Sequence, residues 1–162
     1  MASHISRCCG SLNSGSNHER SAALTALARW GATQVAEQLL KAHLERGGLL
    51  ELSRAALYAV AVSADRPLTH LKRMIERSPS LALRGYAAML LADSRLQWSE
   101  RRGELLERLR LMRSVIDELS NAAPRLALKL EDRYRDLESP NSSHQRGRTP
   151  RDLAPHLDEE DD

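Results

Sequence analysis

The stretch Leu52-Ser53-Arg54-Ala55-Ala56-Leu57-Tyr58-Ala59-Val60 decides the fold. An arginine leads into small residues, and larger apolar ones follow. From Ala55 to Val62 every side of the corresponding helix is apolar, which demands burial on several faces. The same order recurs upstream, from Glu19-Arg20-Ser21-Ala22-Ala23-Leu24 to Trp30-Gly31, and downstream in Leu83-Arg84-Gly85-Tyr86-Ala87-Ala88-Met89-Leu90-Leu91. The arginines stand at 20, 54 and 84, separated by 34 and 30 residues. Self-similarity at that period points to stacked helical hairpins, whose usual work is to present a surface to a partner.

Working outward, Ser16 and Glu19 have the spacing of a capping box for the first helix, and Gly31 is a natural stop. Thr33 is read as the cap of a second helix, with Ala36, Leu39, Leu40 and His43 on its apolar face and Gly47-Gly48 at its end. His43 reads as a packing residue rather than a base. A third helix spans about 49–64, and Tyr58 within it, like Tyr86 in the fifth, is expected to be mostly buried. Asp65 is read as the cap of the fourth helix, whose first turn tolerates Pro67, and Ser78-Pro79 as the start of the fifth. No run of β-branched or alternating residues suggests a strand.

Residues 99–138 follow a different rule. Leu105, Leu109, Met112, Ile116, Leu119, Ala123, Leu126 and Leu130 are spaced as a heptad seam. Packing on the fourth and fifth helices is the favoured reading, and self-association through 105–130 is the alternative. Pro124 inside a helix would cost about 3 kcal/mol, so a kink or tight turn is expected near it, with two helices folding back. The expected fold is all-α: a short right-handed, α-solenoid-like stack of hairpins, then a long helix or helical hairpin. It divides into a Ser/Gly-rich leader over 1–16, a helical domain over 17–138 and an acidic tail over 139–162, both ends disordered by composition.

The 162 residues suit one such domain. Phe is absent and aromatic content is 3%, so Leu and Ala must fill the core. The net charge of +2 is unevenly placed. Residues 18–97 hold 11 basic against 7 acidic residues, residues 98–138 hold 9 of each, and residues 139–162 hold 3 against 6. A basic body with an acidic end is a pattern of interaction tails, though aiding solubility is the blander role. Leu153, Pro155 and Leu157 among the acids have the look of a short binding motif. Cys8 and Cys9 are adjacent and read as two free thiols. The longest apolar run, Ala55 to Val62, is far short of the ~20 residues of a membrane helix, so a cytoplasmic protein is expected, with nuclear and secreted-effector locations as alternatives.

The third and fifth helices resemble HEAT repeats, whose second helix often carries an arginine followed by small residues, as Arg54-Ala55-Ala56 and Arg84-Gly85-Tyr86 do. Asp65 and Pro67 fall where such repeats often turn. The resemblance covers roughly residues 18–97; the repeats differ in length and do not continue beyond them. It implies scaffold or adaptor work and no catalytic residues.

One surface stands out. Arg66, His70, Arg73 and Arg77 are spaced 4, 3 and 4 and share a helix face, opposite Leu68, Leu71 and Ile75. Converging guanidinium groups suit phosphates or carboxylates. An ordinary solvated face is the commoner meaning of such a stripe, and no aromatic residues are interleaved for stacking on bases. A helix-turn-helix over 22–44 is disfavoured, because its second helix is only weakly basic, with Lys41 facing Glu37 and Glu45, and a groove reader needs more exposed Arg, Asn or Gln there. The six histidines have no metal-ligand spacing, and no nucleophile signature or phosphate loop is present, so neither cofactor, metal nor catalysis is expected. The leading expectation is a non-enzymatic protein-protein interaction module. The alternatives are a nucleic-acid or polyanion binder using the stripe, and a secreted or viral-type effector that binds a host protein. The partner surfaces singled out are Arg66, His70, Arg73 and Arg77, and the seam Leu105, Leu109, Met112, Ile116 and Leu119.

Overall fold

The computed structural model describes residues 16–29, 31 and 33–139. Residues 1–15, Trp30, Ala32 and residues 140–162, and with them the readings of Cys8, Cys9, Leu153, Pro155 and Leu157, lie outside the described residues. Seven helices follow one another: α1 (Asn17–Arg29), α2 (Gln34–Arg46), α3 (Leu50–Ser63), α4 (Pro67–Arg77), α5 (Leu81–Leu91), α6 (Arg102–Ala122) and α7 (Pro124–Glu138). Among the described residues there is no strand.

Local chemistry sets most of the boundaries. The Ser16 amide donates to Glu19 Oε2 at 2.6 Å and the Glu19 amide donates to Ser16 Oγ at 3.4 Å, the reciprocal pair of a capping box. Gly31 and Gly47 take φ values of +72° and +74°, which strain any residue with a Cβ. Pro124 does break the last helix. Ala123 leaves helical geometry at φ −147°, ψ 71°, and the proline opens α7 at a position where its missing N–H is not needed.

Three caps differ from expectation. Thr33 precedes α2 but makes no side-chain cap bond, because its backbone is already helical at φ −89°, ψ −8°. Arg66, rather than Asp65, occupies the N-cap position of α4, again without a side-chain bond. At α5 the cap is Ser80, whose Oγ accepts from the Leu83 amide at 3.2 Å. Ser78 instead ends α4, its amide donating to the Met74 carbonyl at 2.9 Å, and its hydroxyl is engaged by His43.

The core is built around α3 and α5. Helix α3 packs against α1, α2, α4 and α5, and α5 packs against α3, α4, α6 and α7. Their small residues make such crowding feasible: Ala56, Ala61, Ala87 and Ala88 are fully buried beside Leu57, Leu83 and Leu91. At Gly85 a Cβ would lie 3.0 Å from Leu126 Cδ2 of α7 and 3.4 Å from Leu119 Cδ1 of α6, so the glycine is what lets the last two helices close on α5. Tyr58 and Tyr86 are half-buried, not mostly buried as expected. Their rings pack on the core while each keeps contact with a surface groove, the usual compromise for an apolar ring with a polar tip.

Helix α6 packs against α4, α5 and α7. Met112, Ile116 and Leu119 of the seam are buried within the chain itself, and Leu105 and Leu109 are half-buried. The seam therefore does not offer Met112, Ile116 or Leu119 as a free surface, as a partner role would need. The buried face is also wider than a heptad seam, because Arg108, Leu111 and Val115 join it. That is the broad stripe of a helix covering a globular core.

Candidate functional site

The expected basic stripe lies on the outer side of α4. Arg66, Arg73 and Arg77 are exposed and form no ion pair among the described residues, whereas His70 is half-buried. The four residues do not converge on one cavity. His70 and Arg73 rim a groove between α2 and α4 that is floored by Leu40, Leu44, Val60 and Met74. Arg73 and Arg77 border a second, shallower groove with Lys72, Glu76 and Glu107, and Arg66 lines neither. Lys72 is committed to Glu107 at 3.0 Å. Hydrogen bonds from Arg110 and then Lys72 hold the Glu107 carboxyl down at about 2.

A second site, on residues that the sequence did not single out as a surface, gathers around the two tyrosines. Tyr58 of α3 and Tyr86 of α5 line a cavity of about 440 Å³ together with Met89, Asp93, Arg95 and Arg133 of α7. The same two rings line an adjoining cavity of about 420 Å³, which runs past Arg54 and Glu51 to Thr25 and His18 of α1. The Arg54 guanidinium sits 5.6 Å from the Tyr86 ring centre and that of Arg95 sits 5.8 Å from the Tyr58 ring centre, both within cation–π range. Arg54 Nε is buried with no hydrogen-bond partner. Burial first, and then the neighbouring Tyr58 phenol, raises the Tyr86 phenol above its ordinary value, so it remains a neutral donor at physiological pH.

Fixed supports orient this groove. Asp93 accepts from Arg95 Nη2 at 2.7 Å and from its Nε at 3.0 and 3.2 Å, a bond set that holds the carboxyl below its usual range. The loop carrying the pair is fastened twice: Trp98 Nε1 donates to the Asp93 carbonyl at 2.6 Å, and Arg108 Nε donates to the Leu91 carbonyl at 2.7 Å. Arg108 also lies 3.9 Å from the Trp98 ring centre. Its burial, largely unrelieved, brings the guanidinium down to about 10, and its charge sits favourably at the carboxyl end of α5.

Sequence reasoning could see Tyr58, Tyr86 and Arg54 as members of a repeat. It had no means of seeing that Arg95, from a loop, and Arg133, from α7, would join them. Arg133 was legible only as a residue that spoils the seam.

His43 is more than a packing residue. It is buried, with Nε2 2.9 Å from Ser78 Oγ and Nδ1 3.1 Å from Ser53 Oγ, and both serines are buried too. A neutral imidazole can donate to one hydroxyl and accept from the other. Burial lowers its pKa and so favours that neutral form. The trio clasps α2, α3 and the end of α4. Both ring nitrogens are thus taken up by serine hydroxyls.

Among the described residues no three His, Cys, Asp or Glu side chains gather as a metal site, and no helix is long and apolar enough to cross a membrane. Compared with known protein families, characterised proteins and solved structures, the chain matches none.

Proposed function

We propose that this chain is a non-enzymatic protein-protein interaction module of short, HEAT-like α-solenoid type, working in the cytoplasm, whose partner surface is the tyrosine–arginine groove along α1, α3, α5 and α7. The observation that carries it is the pairing of half-exposed Tyr58 and Tyr86 with Arg54, Arg95 and Arg133, contributed by three helices and a loop. Tyr and Arg are the residue types that concentrate binding energy at protein interfaces, and here their supports already hold them in place. Two further facts favour the repeat reading. Helix α1 packs on α3, α3 on α5 and α5 on α7, as successive inner helices of a stack would. The three repeat arginines, Arg20, Arg54 and Arg84, all bury an unpaired Nε.

The test is capture of the native partner by full-length chains, with and without nuclease. Tyr58→Ala with Tyr86→Ala should weaken capture by more than tenfold, as hot-spot truncations of about 2 kcal/mol do. Arg73→Glu with Arg77→Glu should leave it unchanged. The opposite pattern, or loss of capture on nuclease treatment, removes this reading. It would favour the second one, a polyanion binder on α4, which has its own support in the unpaired, exposed Arg66, Arg73 and Arg77. That binder would show affinity falling steeply with salt as counterions are released.

A further inference from the structure

The tyrosine–arginine groove has a specific charge character. Its cations are Arg54, Arg95 and Arg133, with His18 at its far end. Its acids are Asp93, which Arg95 already engages through both carboxylate oxygens, and Glu51, at the end away from Arg133. Arg54 keeps an unpaired Nε beside the Tyr86 ring, and Arg133 makes no ion pair among the described residues. A carboxylate-rich, extended peptide meets these needs: its side chains can accept from the guanidinium groups and from the tyrosine hydroxyls.

The chain carries such a segment. Asp158-Glu159-Glu160-Asp161-Asp162 places five consecutive acids in the region beyond α7. Helix α7 ends near the groove, because Arg133 lies only five residues before the last residue of the helix, Glu138. At ~1.5 Å of rise per residue the helix ends about 7.5 Å further along its axis. Residues 140–157 then separate the helix end from the acids, and a chain of that length with coil statistics would span roughly 20–25 Å. That exceeds the distance from the helix end back to Arg133.

We propose that the acidic segment 158–162 docks in cis on Arg54, Arg95 and Arg133 between Tyr58 and Tyr86, so that it competes with an acidic segment of the partner for the same groove. The proposal rests on the reading of this groove as the partner surface. A tether of this length would give an effective concentration of order 1 mM, so a segment with an intrinsic affinity of about 100 μM would occupy the groove some nine-tenths of the time.

The experiment uses the full chain and a full chain with Asp158→Asn, Glu159→Gln, Glu160→Gln, Asp161→Asn and Asp162→Asn. The probe is a synthetic peptide of residues 150–162. Removing the competitor should let the probe bind about tenfold more tightly to the neutralised chain than to the unaltered one. In NMR spectra the Tyr58 and Tyr86 ring signals should differ between the two chains at low salt and converge at high salt. Arg133→Glu, at an exposed position, should abolish probe binding without loss of helicity.

Equal probe affinity for both chains, or no probe binding to the neutralised chain, overturns the proposal. So does a perturbation confined to Arg66, Arg73 and Arg77, or a tail effect that grows with protein concentration, which would mean docking on a second copy. The underlying reading fails separately. If the tail substitutions change nothing while the tyrosine variants still lose the native partner, the tail proposal falls and the partner surface stands. If the tyrosine variants keep the native partner, the surface falls whatever the tail does.

Discussion

The middle of the molecule and its C-terminal hairpin are held together in different ways. Helices α3 and α5 are apolar on nearly every side and rich in alanine, and they lie enclosed by four neighbours each. The α6–α7 hairpin buries one broad stripe and latches its outer sides with charge. Arg113 donates to Glu131 at 2.7 Å across the pair and lies 4.4 Å from the Tyr134 ring centre, while Leu106 and Leu128 are left exposed. The comparison teaches where tolerance to change resides. In the middle, stability comes from shape and desolvation, which no surface contact can replace. In the hairpin, the polar contacts are solvated and each contributes little.

The sharpest way to break this contrast is Leu57→Asp. Leu57 is fully buried, and an unpaired carboxylate there loses its apolar contacts and its hydration together. A loss of about 4 kcal/mol or more is expected, read as collapse of the cooperative thermal transition. An unchanged melting temperature would mean that α3 is not the enclosed helix it appears in this packing.

Next in size is the joint between the two regions. Gly85→Leu would drive a side chain into Leu126 and Leu119, where even a Cβ is close. Overpacking of this kind costs roughly 1–3 kcal/mol, and the loss should be accompanied by faster amide exchange in α7. A variant as stable as the parent would show that the hairpin can ride away from α5 freely.

The clasp on the N-terminal side answers to pH. Because burial lowers the folded-state pKa of His43, the unfolded chain takes up its proton first as pH falls. The clasp's contribution is complete above the ordinary histidine value of about 6.5 and is lost as pH falls from there through the lower folded value. Denaturant melts between pH 7.5 and 5 should show a stability loss on acidification that His43→Gln removes. A parent slope unchanged by that substitution would assign the effect elsewhere.

The smallest expected effect belongs to the hairpin latch. Arg113→Ala removes a part-exposed ion pair and a ring contact, and a cost near 1 kcal/mol or below is expected. If it rivals Leu57→Asp, the division between the two regions is wrong.

The features legible along the chain are those whose physics is local. The Ser16–Glu19 box, the positive φ at Gly31 and Gly47, and the break at Pro124 each depend on residues within one helical turn. The all-round apolar character of α3 and α5 likewise announced that they would be central. The α5 cap was misjudged because the Ser78 hydroxyl has a competing partner, His43, 35 residues away. For seam residues such as Met112 and Ile116, core packing is the favoured reading and self-association the alternative that periodicity leaves open, since a buried stripe looks the same whichever molecule covers it.

By itself, then, the sequence determined helix identity, the ends of α1, the break before α7 and which helices must be inside, because backbone geometry and apolar periodicity act over a few residues. Only the tertiary structure decided that Tyr58 and Tyr86 would lie half-open side by side, that Arg54, Arg95 and Arg133 would surround them from α3, a loop and α7, and that Arg66, His70, Arg73 and Arg77 of the α4 stripe would not converge on one groove. Those outcomes depend on how helices far apart in sequence pack, and packing is set by the volumes of side chains such as Gly85 and Leu126 meeting across the core.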